Sequence, residues 1–296
     1  MFFSEVLLHL TGGCVMVRIV ADSTCDLTKD ILEKYNISII PLCIVMDDKS
    51  YYDGIEVTPD EIFKWADERK TTPKTAAATF EKAEEILKPH MDAGDDIIFI
   101  GISSEMSTTC NVIRLIAEQN EYDNLYIVDS RNLSTGIGLQ VVKAAKLVSE
   151  GKNAKEIADT LLAASGRVRA SFVVDTLAYL ARGGRCNAVT ALLANTLKLH
   201  PKIVVKDGKM GVDKKYRGNL ELALSKYARD LEEELLNAEK DIVFVTHSGC
   251  DEKIVNEIKD KINSLGYFDE IIETRAGGVI SSHCGPGTLG ILFYSK

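Results

Sequence analysis

Three absences narrow the field before any motif is read. The chain has no basic excess: 35 Lys and Arg stand against 44 Asp and Glu, a net charge of −9. A nucleic-acid footprint needs a basic face, and docking on an anionic membrane by charge needs one too, so neither is expected. The seven cysteines, at positions 14, 25, 43, 110, 186, 250 and 284, form no C-x-x-C pair. That scatter suits reduced thiols in a cytoplasmic protein and gives neither a disulfide framework nor a zinc site. The apolar run near the N-terminus, Val6 to Leu8, has no basic segment before it and is too short to insert stably in a membrane. Catalytic signatures are missing as well. There is no G-x-S-x-G elbow, no H-E-x-x-H and no P-loop, and the histidines and cysteines show no metal-ligand spacing. No metal, no cofactor and no catalytic residue is therefore expected.

What remains is ordinary globular composition, 46% hydrophobic and 27% charged. At 296 residues, two domains are expected in place of one core. The first half alternates strands and helices: strands at 17–21, 37–45, 96–100 and 125–128, and helices starting at Thr28, Thr58, about Phe80, Ser107 and Thr135. Thr58-Pro59-Asp60-Glu61 is a capping box with proline at the first helical position. Alternation of this kind predicts a parallel sheet covered by helices. Pro41 inside 37–45 marks an edge or a bend. The second half mixes this pattern with a hairpin signal, Asp207-Gly208 between two apolar runs, then a long helix over about 220–238 and strands at 241–246, 270–274 and 291–294. A short helix at 188–196 is expected too. The fold class is α/β, with a parallel-sheet, Rossmann-like domain over 17–165 and a mixed-sheet α/β domain over 166–296. Residues 1–16 read as an N-terminal extension, with Met16 a candidate start directly before the first strand. No repeat or low-complexity linker separates the halves, so the domains should pack closely.

Ligands of parallel sheets sit outside the carboxyl ends of the strands. Three polar loops follow strand ends here, Asp22–Asp26, Ser103–Ser107 and Asp129–Ser130, and should gather on one edge. Each of these residues could instead only cap a helix. Between two helices, Thr71 to Thr79 is rich in hydroxyls and small side chains, which let a backbone approach a ligand. Near the C-terminus, His283-Cys284-Gly285-Pro286-Gly287 places a histidine beside a rigid turn. The string Gly285, Gly287, Gly290 spells G-x-G-x-x-G, but proline lies inside it and a strand follows, so a dinucleotide site is rejected. Thr75, Ser107 and His283 together offer two hydroxyls and an imidazole, a set suited to a carboxylate or phosphate. The basic residues flanking Gly183-Gly184, and Tyr216-Arg217-Gly218, could bind phosphate or end helices and pair with carboxylates. His247, at a strand end, could be a ligand contact or simply bond the backbone.

The order of these pieces resembles the DegV family, bacterial fatty-acid-binding proteins that present fatty acid to a fatty acid kinase. The matching segments are Val20-Ala21-Asp22-Ser23-Thr24, Tyr52-Asp53-Gly54, Pro73-Lys74-Thr75 and Ile102 to Thr108. They continue through Asp175 to Leu180, Gly183-Gly184-Arg185, Tyr216-Arg217-Gly218 and His283 to Gly287. The resemblance implies that Thr75, Ser107 and His283 hold the ligand carboxylate and that Arg217 stands near the pocket mouth. Ser104, Thr108, Arg185 and Gly285 become candidate pocket or partner contacts. This chain departs from the family in Ala76-Ala77-Ala78, where a Ser-Gln-Pro is usual, and in Thr108, where a glycine is.

The expectation is a carrier that is not itself an enzyme. It would bury a long-chain fatty acid between its domains and present the carboxylate to a separate fatty acid kinase for acyl-phosphate formation, with an acyltransferase of phospholipid metabolism downstream. Each buried methylene contributes roughly 0.8 kcal/mol, so the tail can supply most of the affinity. A tunnel lined by parts of 172–174, 188–193 and 279–280 would take it. The alternatives are a small-molecule hydrolase or phosphotransferase using Ser107 and His283, or a lipid-sensing regulatory module.

Overall fold

In a computed structural model of the chain, residues 16–186 and 199–296 are described. Strands β1 (Val17–Asp22) and β2 (Ser38–Ile40) run parallel, β2 at the sheet edge. A small antiparallel sheet follows, built from β3 (Cys43–Met46), β4 (Lys49–Tyr52) and β5 (Lys74–Ala76) in the order β4-β3-β5. Strands β6 (Asp96–Gly101) and β7 (Leu125–Asp129) then complete the first sheet, in the order β2-β1-β6-β7, all parallel. In β6 the run Ile97 to Ile100 is fully buried, as expected of a strand with helices on both faces. The helices are Lys29–Lys34, Pro59–Arg69, Phe80–Asp92, Thr109–Gln119, Thr135–Ser149 and Ala154–Ala164. Thr58 and Asn153 close full capping boxes with Glu61 and Glu156.

The second sheet has six strands: β8 (Val168–Val173), β9 (Leu199–Lys206), β10 (Lys209–Arg217), β11 (Ala238–His247), β12 (Glu270–Arg275) and β13 (Leu289–Ser295). Their order is β10-β9-β8-β13-β11-β12, and only the β11–β12 pair is parallel. The expected mixed sheet is therefore present, and the chain is a two-domain α/β protein. The Asp207-Gly208 turn has φ of 51° and 79°, the left-handed pair that a tight hairpin requires. The two halves are stitched directly: Thr135 Oγ1 to Thr246 Oγ1 at 2.6 Å, and Ser103 Oγ to the Gly208 carbonyl at 2.8 Å. No helix among the described residues is long and apolar enough to cross a membrane.

Two expectations need correction. The apolar run 37–45 is two strands in two different sheets, because Pro41 cannot donate to a ladder and the chain turns there. The helix expected over 220–238 stops at Asp230, restarts as Glu232–Leu236, and by Ala238 is already strand. Thr75 lies on a short strand between the two helices. His283 belongs to the last turn of a short helix, Gly278–Cys284, directly before the glycine-proline turn. The helix expected over 188–196 lies outside the described residues, as do residues 1–15.

Candidate functional site

Thr75 sits on β5, paired with Ile44 of β3, which points the threonine toward the second domain. The helix Gly278–Cys284 brings His283 to meet it. Thr75 Oγ1 lies 2.7 Å from His283 Nε2, a hydrogen bond between residues 208 apart in sequence. Ser107 closes the loop after β6, where its N–H donates to the Ser103 carbonyl at 3.0 Å. Its hydroxyl is 2.9 Å from Thr109 Oγ1 and accepts the Thr109 N–H at 3.3 Å. Thr109 Oγ1 also accepts the Ala78 N–H at 3.5 Å. One buried threonine thus ties the Ser107 loop to the segment after Thr75. Sequence reading missed Thr109, because a hydroxyl in a first helical turn looks like one more cap.

All three predicted residues line one cavity of about 490 Å³, within the roughly 300–1,000 Å³ usual for small-molecule sites. Its polar lining includes Thr75, Ser107 and His283, with Glu105 and Arg185 as its charged members; Leu42, Met106, Leu133, Met210, Val279 and Ile280 give it apolar wall. A second void of about 20 Å³, lined by Phe172 among others, shares Leu133, Ile280 and Cys284 with the first.

The three donors themselves are neutral. Burial, and secondarily the nearby Arg185 charge, lowers the His283 pKa to about 4, so the imidazole is uncharged at neutral pH. His283 Nδ1 is buried without a partner. Gly183 packs against that nitrogen so closely that any Cβ there would collide with it. An orphaned lone pair is tolerated more readily than an orphaned N–H, so the ring carries its proton on Nε2. Nε2 then donates to Thr75 Oγ1, and the Thr75 hydroxyl proton is free to face an anion. Arg185 is the one cation among the described residues lining the cavity. It is exposed, and its guanidinium donates to the Met106 and Gly183 carbonyls at 3.4 and 3.0 Å.

Ser104 and Thr108 also line the cavity; Arg217 and Gly285 do not. Arg217 ends β10 in an exposed position. Gly285 packs against the Tyr179 ring, and its carbonyl accepts the Ser248 hydroxyl. The three strand-end loops do meet: Ile102 N donates to Asp22 Oδ2 at 2.7 Å, and Ser103 N to the Asn132 carbonyl at 2.9 Å. Only the middle loop, however, reaches the cavity. The Asp22–Asp26 loop turns its carboxylates inward, where they bond the backbone. His247 is likewise internal, with Nδ1 accepting the Gly249 and Cys250 N–H groups. Among the described residues no His, Cys, Asp and Glu group could hold a metal.

Comparison with known proteins finds relatives that match nearly the whole chain. Residues 16–296 match the family model described as "Uncharacterised protein, DegV family". A DegV domain-containing protein of Caldanaerobacter subterraneus is 30% identical over 285 residues, covering 95% of this chain and 99% of the relative. Among solved structures, a fatty-acid-binding DegV family protein from Thermus thermophilus superposes with a TM-score of 0.86 at 27% identity, over 95% of this chain and all of that one. A stearic-acid-binding protein from Eubacterium ventriosum gives 0.81 at 26% identity, over 95% and 99% of the two chains.

Proposed function

The chain belongs to the DegV family, and from that premise we propose that it binds a long-chain fatty acid, with the carboxylate on Thr75, Ser107 and His283 and the tail along the apolar wall. The carrying observation is the cavity itself: three neutral donors share one space with a wall divided between polar side chains and the apolar Leu42, Met106, Leu133, Met210, Val279 and Ile280. A ligand that is an anion at one end and a hydrocarbon beyond it matches that division. Burial of methylenes at roughly 0.8 kcal/mol each supplies the affinity, and the donors supply direction.

The hydrolase reading is disfavoured by the same geometry. A serine nucleophile needs a histidine base within reach, and that base needs an orienting acid. Here His283 bonds Thr75 and Ser107 bonds Thr109, while His283 Nδ1 faces no carboxylate. On this reading the protein is a cytoplasmic carrier. It offers one carboxylate oxygen to a fatty acid kinase, and the acyl phosphate goes on to an acyltransferase. Arg185 at the cavity rim and Arg217 on the exposed end of β10 are the partner-facing cations, because phosphoryl transfer needs positive charge that the pocket interior lacks. Native mass spectrometry of the gently purified protein tests the binding step: a co-purified mass of a long-chain fatty acid is expected. A protein that is empty and does not take up palmitate in competition with acetate would end the reading. Arg217→Ala tests the second step; it should keep palmitate and lose acyl-phosphate formation with a cognate kinase.

A further inference from the structure

The site depends on a hydrogen bond between two elements that have little holding them individually. The helix that carries His283 has seven residues, about two turns, too short to be stable alone. The strand that carries Thr75 has three. Something must fix one against the other, and one carboxylate bonds the helix directly and reaches the strand's partner β3 through Ser23 and Leu42. Asp53 Oδ1 accepts the Gly278 N–H at 2.8 Å, at the first residue of the histidine helix, and the Val279 N–H is turned to the same carboxylate. Asp53 Oδ2 accepts the Ser23 hydroxyl at 2.8 Å, and Ser23 Oγ accepts the Leu42 N–H at 3.2 Å. The Asp53 N–H donates to the Leu42 carbonyl at 2.9 Å. Leu42 lines the cavity and leads into β3, the strand on which Thr75 is paired.

The fit is close enough that only glycine permits it. A Cβ on Gly278 would lie 2.8 Å from Asp53 Oδ1 and 2.6 Å from Ile44 Cδ1, distances that real side chains do not occupy. A second carboxylate completes the hold: Asp26 Oδ1 accepts the Gly277 N–H at 2.8 Å and Oδ2 the Ser134 hydroxyl at 2.5 Å. Asp53 is 2% exposed and Asp26 6%, so neither can serve a ligand from solvent. Burying such groups is costly unless their hydrogen bonds are made, and here every bond goes to the backbone or hydroxyls that frame the site.

We propose that Asp53, with Asp26 beside it, is the positioning residue of the carboxylate site, holding the Gly277-Gly278 N–H groups and the Ser23–Leu42 link so that His283 Nε2 stays within bonding distance of Thr75. The inference rests on the fatty-acid reading, in that the bond it protects is the one that aims Thr75 at an anion. It predicts a head-group effect. Loosening Asp53 lets the Thr75–His283 pair separate, which harms a ligand with a carboxylate and leaves a ligand with the same tail and no charge nearly unaffected.

The test compares laurate with 1-dodecanol on wild type, Asp53→Asn, Asp53→Ala and Ser23→Ala. Asp53→Ala should weaken laurate roughly tenfold or more, the loss of about one charge-assisted hydrogen bond, while dodecanol changes by no more than about twofold on the same scale. Asp53→Asn keeps an acceptor for Gly278 N–H and should recover part of the laurate affinity. Equal loss of both ligands makes Asp53 a general structural residue, and unchanged laurate affinity removes it from the site; either overturns the proposal. Should Asp53→Ala fail to fold, Ser23→Ala, which loosens the carboxylate without deleting it, is judged by the same laurate-to-dodecanol ratio. A wild-type protein that binds neither ligand ends the fatty-acid reading, whereas one that binds both, with a ratio unmoved in the variants, ends only this inference.

Discussion

One short helix, Gly278–Cys284, has polar clusters at both ends, and they are built on opposite rules. At its N-terminal end, Asp26 and Asp53 are buried carboxyl groups, their pKa values raised by that burial, with each oxygen bonded within the protein. At its C-terminal end, His283 is neutral, bonded through one nitrogen and orphaned at the other, beside hydroxyls that border a cavity. The first cluster has spent its hydrogen-bonding capacity on the fold. The second has kept a donor in reserve. Charge alone would have picked the wrong end: the carboxylates are scaffold, and the uncharged hydroxyls face the space a ligand can enter. Spare capacity next to a cavity is the better guide to a binding site than the presence of ionisable groups.

The largest effect expected from that contrast is on stability. Asp26→Ala strands the Gly277 N–H and the Ser134 hydroxyl, at roughly 1–3 kcal/mol for each buried unsatisfied group. Relief of a buried carboxyl group offsets part of this, and a net loss of about 2–4 kcal/mol is expected in urea unfolding. Ser107→Ala, at the other end, should cost under about 1 kcal/mol, since its loss opens onto the cavity. Equal costs at the two ends would erase the distinction between scaffold and site.

The two ends should also respond to pH with opposite sign. Asp22, beside the N-terminal cluster, has its pKa raised from 3.8 to about 6, chiefly by burial. A raised folded pKa contributes stability that is complete below the unfolded value of 3.8 and is lost as pH rises through about 6. The whole swing is about 3 kcal/mol. His283 has a depressed pKa, so its contribution is present above 6.5 and lost as pH falls toward about 4. Asp22→Asn should therefore remove the stabilisation gained between about pH 6 and pH 4 and expose a steeper acid loss. Urea midpoints for both proteins across that range decide the matter; parallel curves would mean Asp22 does not carry the slope.

How much of this was legible in the sequence follows from the range of the forces involved. The alternation of strands and helices, the Thr58 cap and the Asp207-Gly208 turn are local, and all stand in the structure as read. The split at Pro41 and the break after Asp230 were blurred because apolar pattern alone does not say which sheet a strand joins or where a helix yields to tertiary packing. Thr75, Ser107 and His283 were chosen as side-chain chemistry, and the fold brings all three to one cavity. Their supports were not readable. Thr109, Asp53 and Asp26 act through backbone groups up to 251 residues away, and nothing local distinguishes such a carboxylate from a helix cap.

On the ligand side, Thr75→Val keeps the shape of the side chain and removes its hydroxyl. If that hydroxyl is the reserved donor, palmitate binding should weaken by about 1.5–3 kcal/mol, roughly tenfold to a hundredfold, with the urea midpoint nearly unmoved. His283→Gln should weaken it less, because an amide nitrogen can still donate toward Thr75. A reversed order would place the anion on His283 directly.

The finest test of the contrast is a flat line. A site that used imidazolium as its cation would tighten on an anionic ligand as pH fell through about 6.5, the ordinary histidine value. His283 titrates near 4 because burial, and then the Arg185 charge, disfavours its protonated form. Between about pH 5.5 and 8 the imidazole is therefore neutral throughout, and a fatty acid carboxylate, taken at a Glu-like pKa of about 4.3, stays ionised. Palmitate affinity should vary by no more than about twofold across that window, since no group in the donor set changes charge. Arg185→Ala removes the secondary cause of the depression and leaves the burial, so it should raise the midpoint of any acid-side step without bringing it into the window. A step centred near 6.5 in wild type would show that His283 binds as a cation, and the helix would then hold a charge at its C-terminal end.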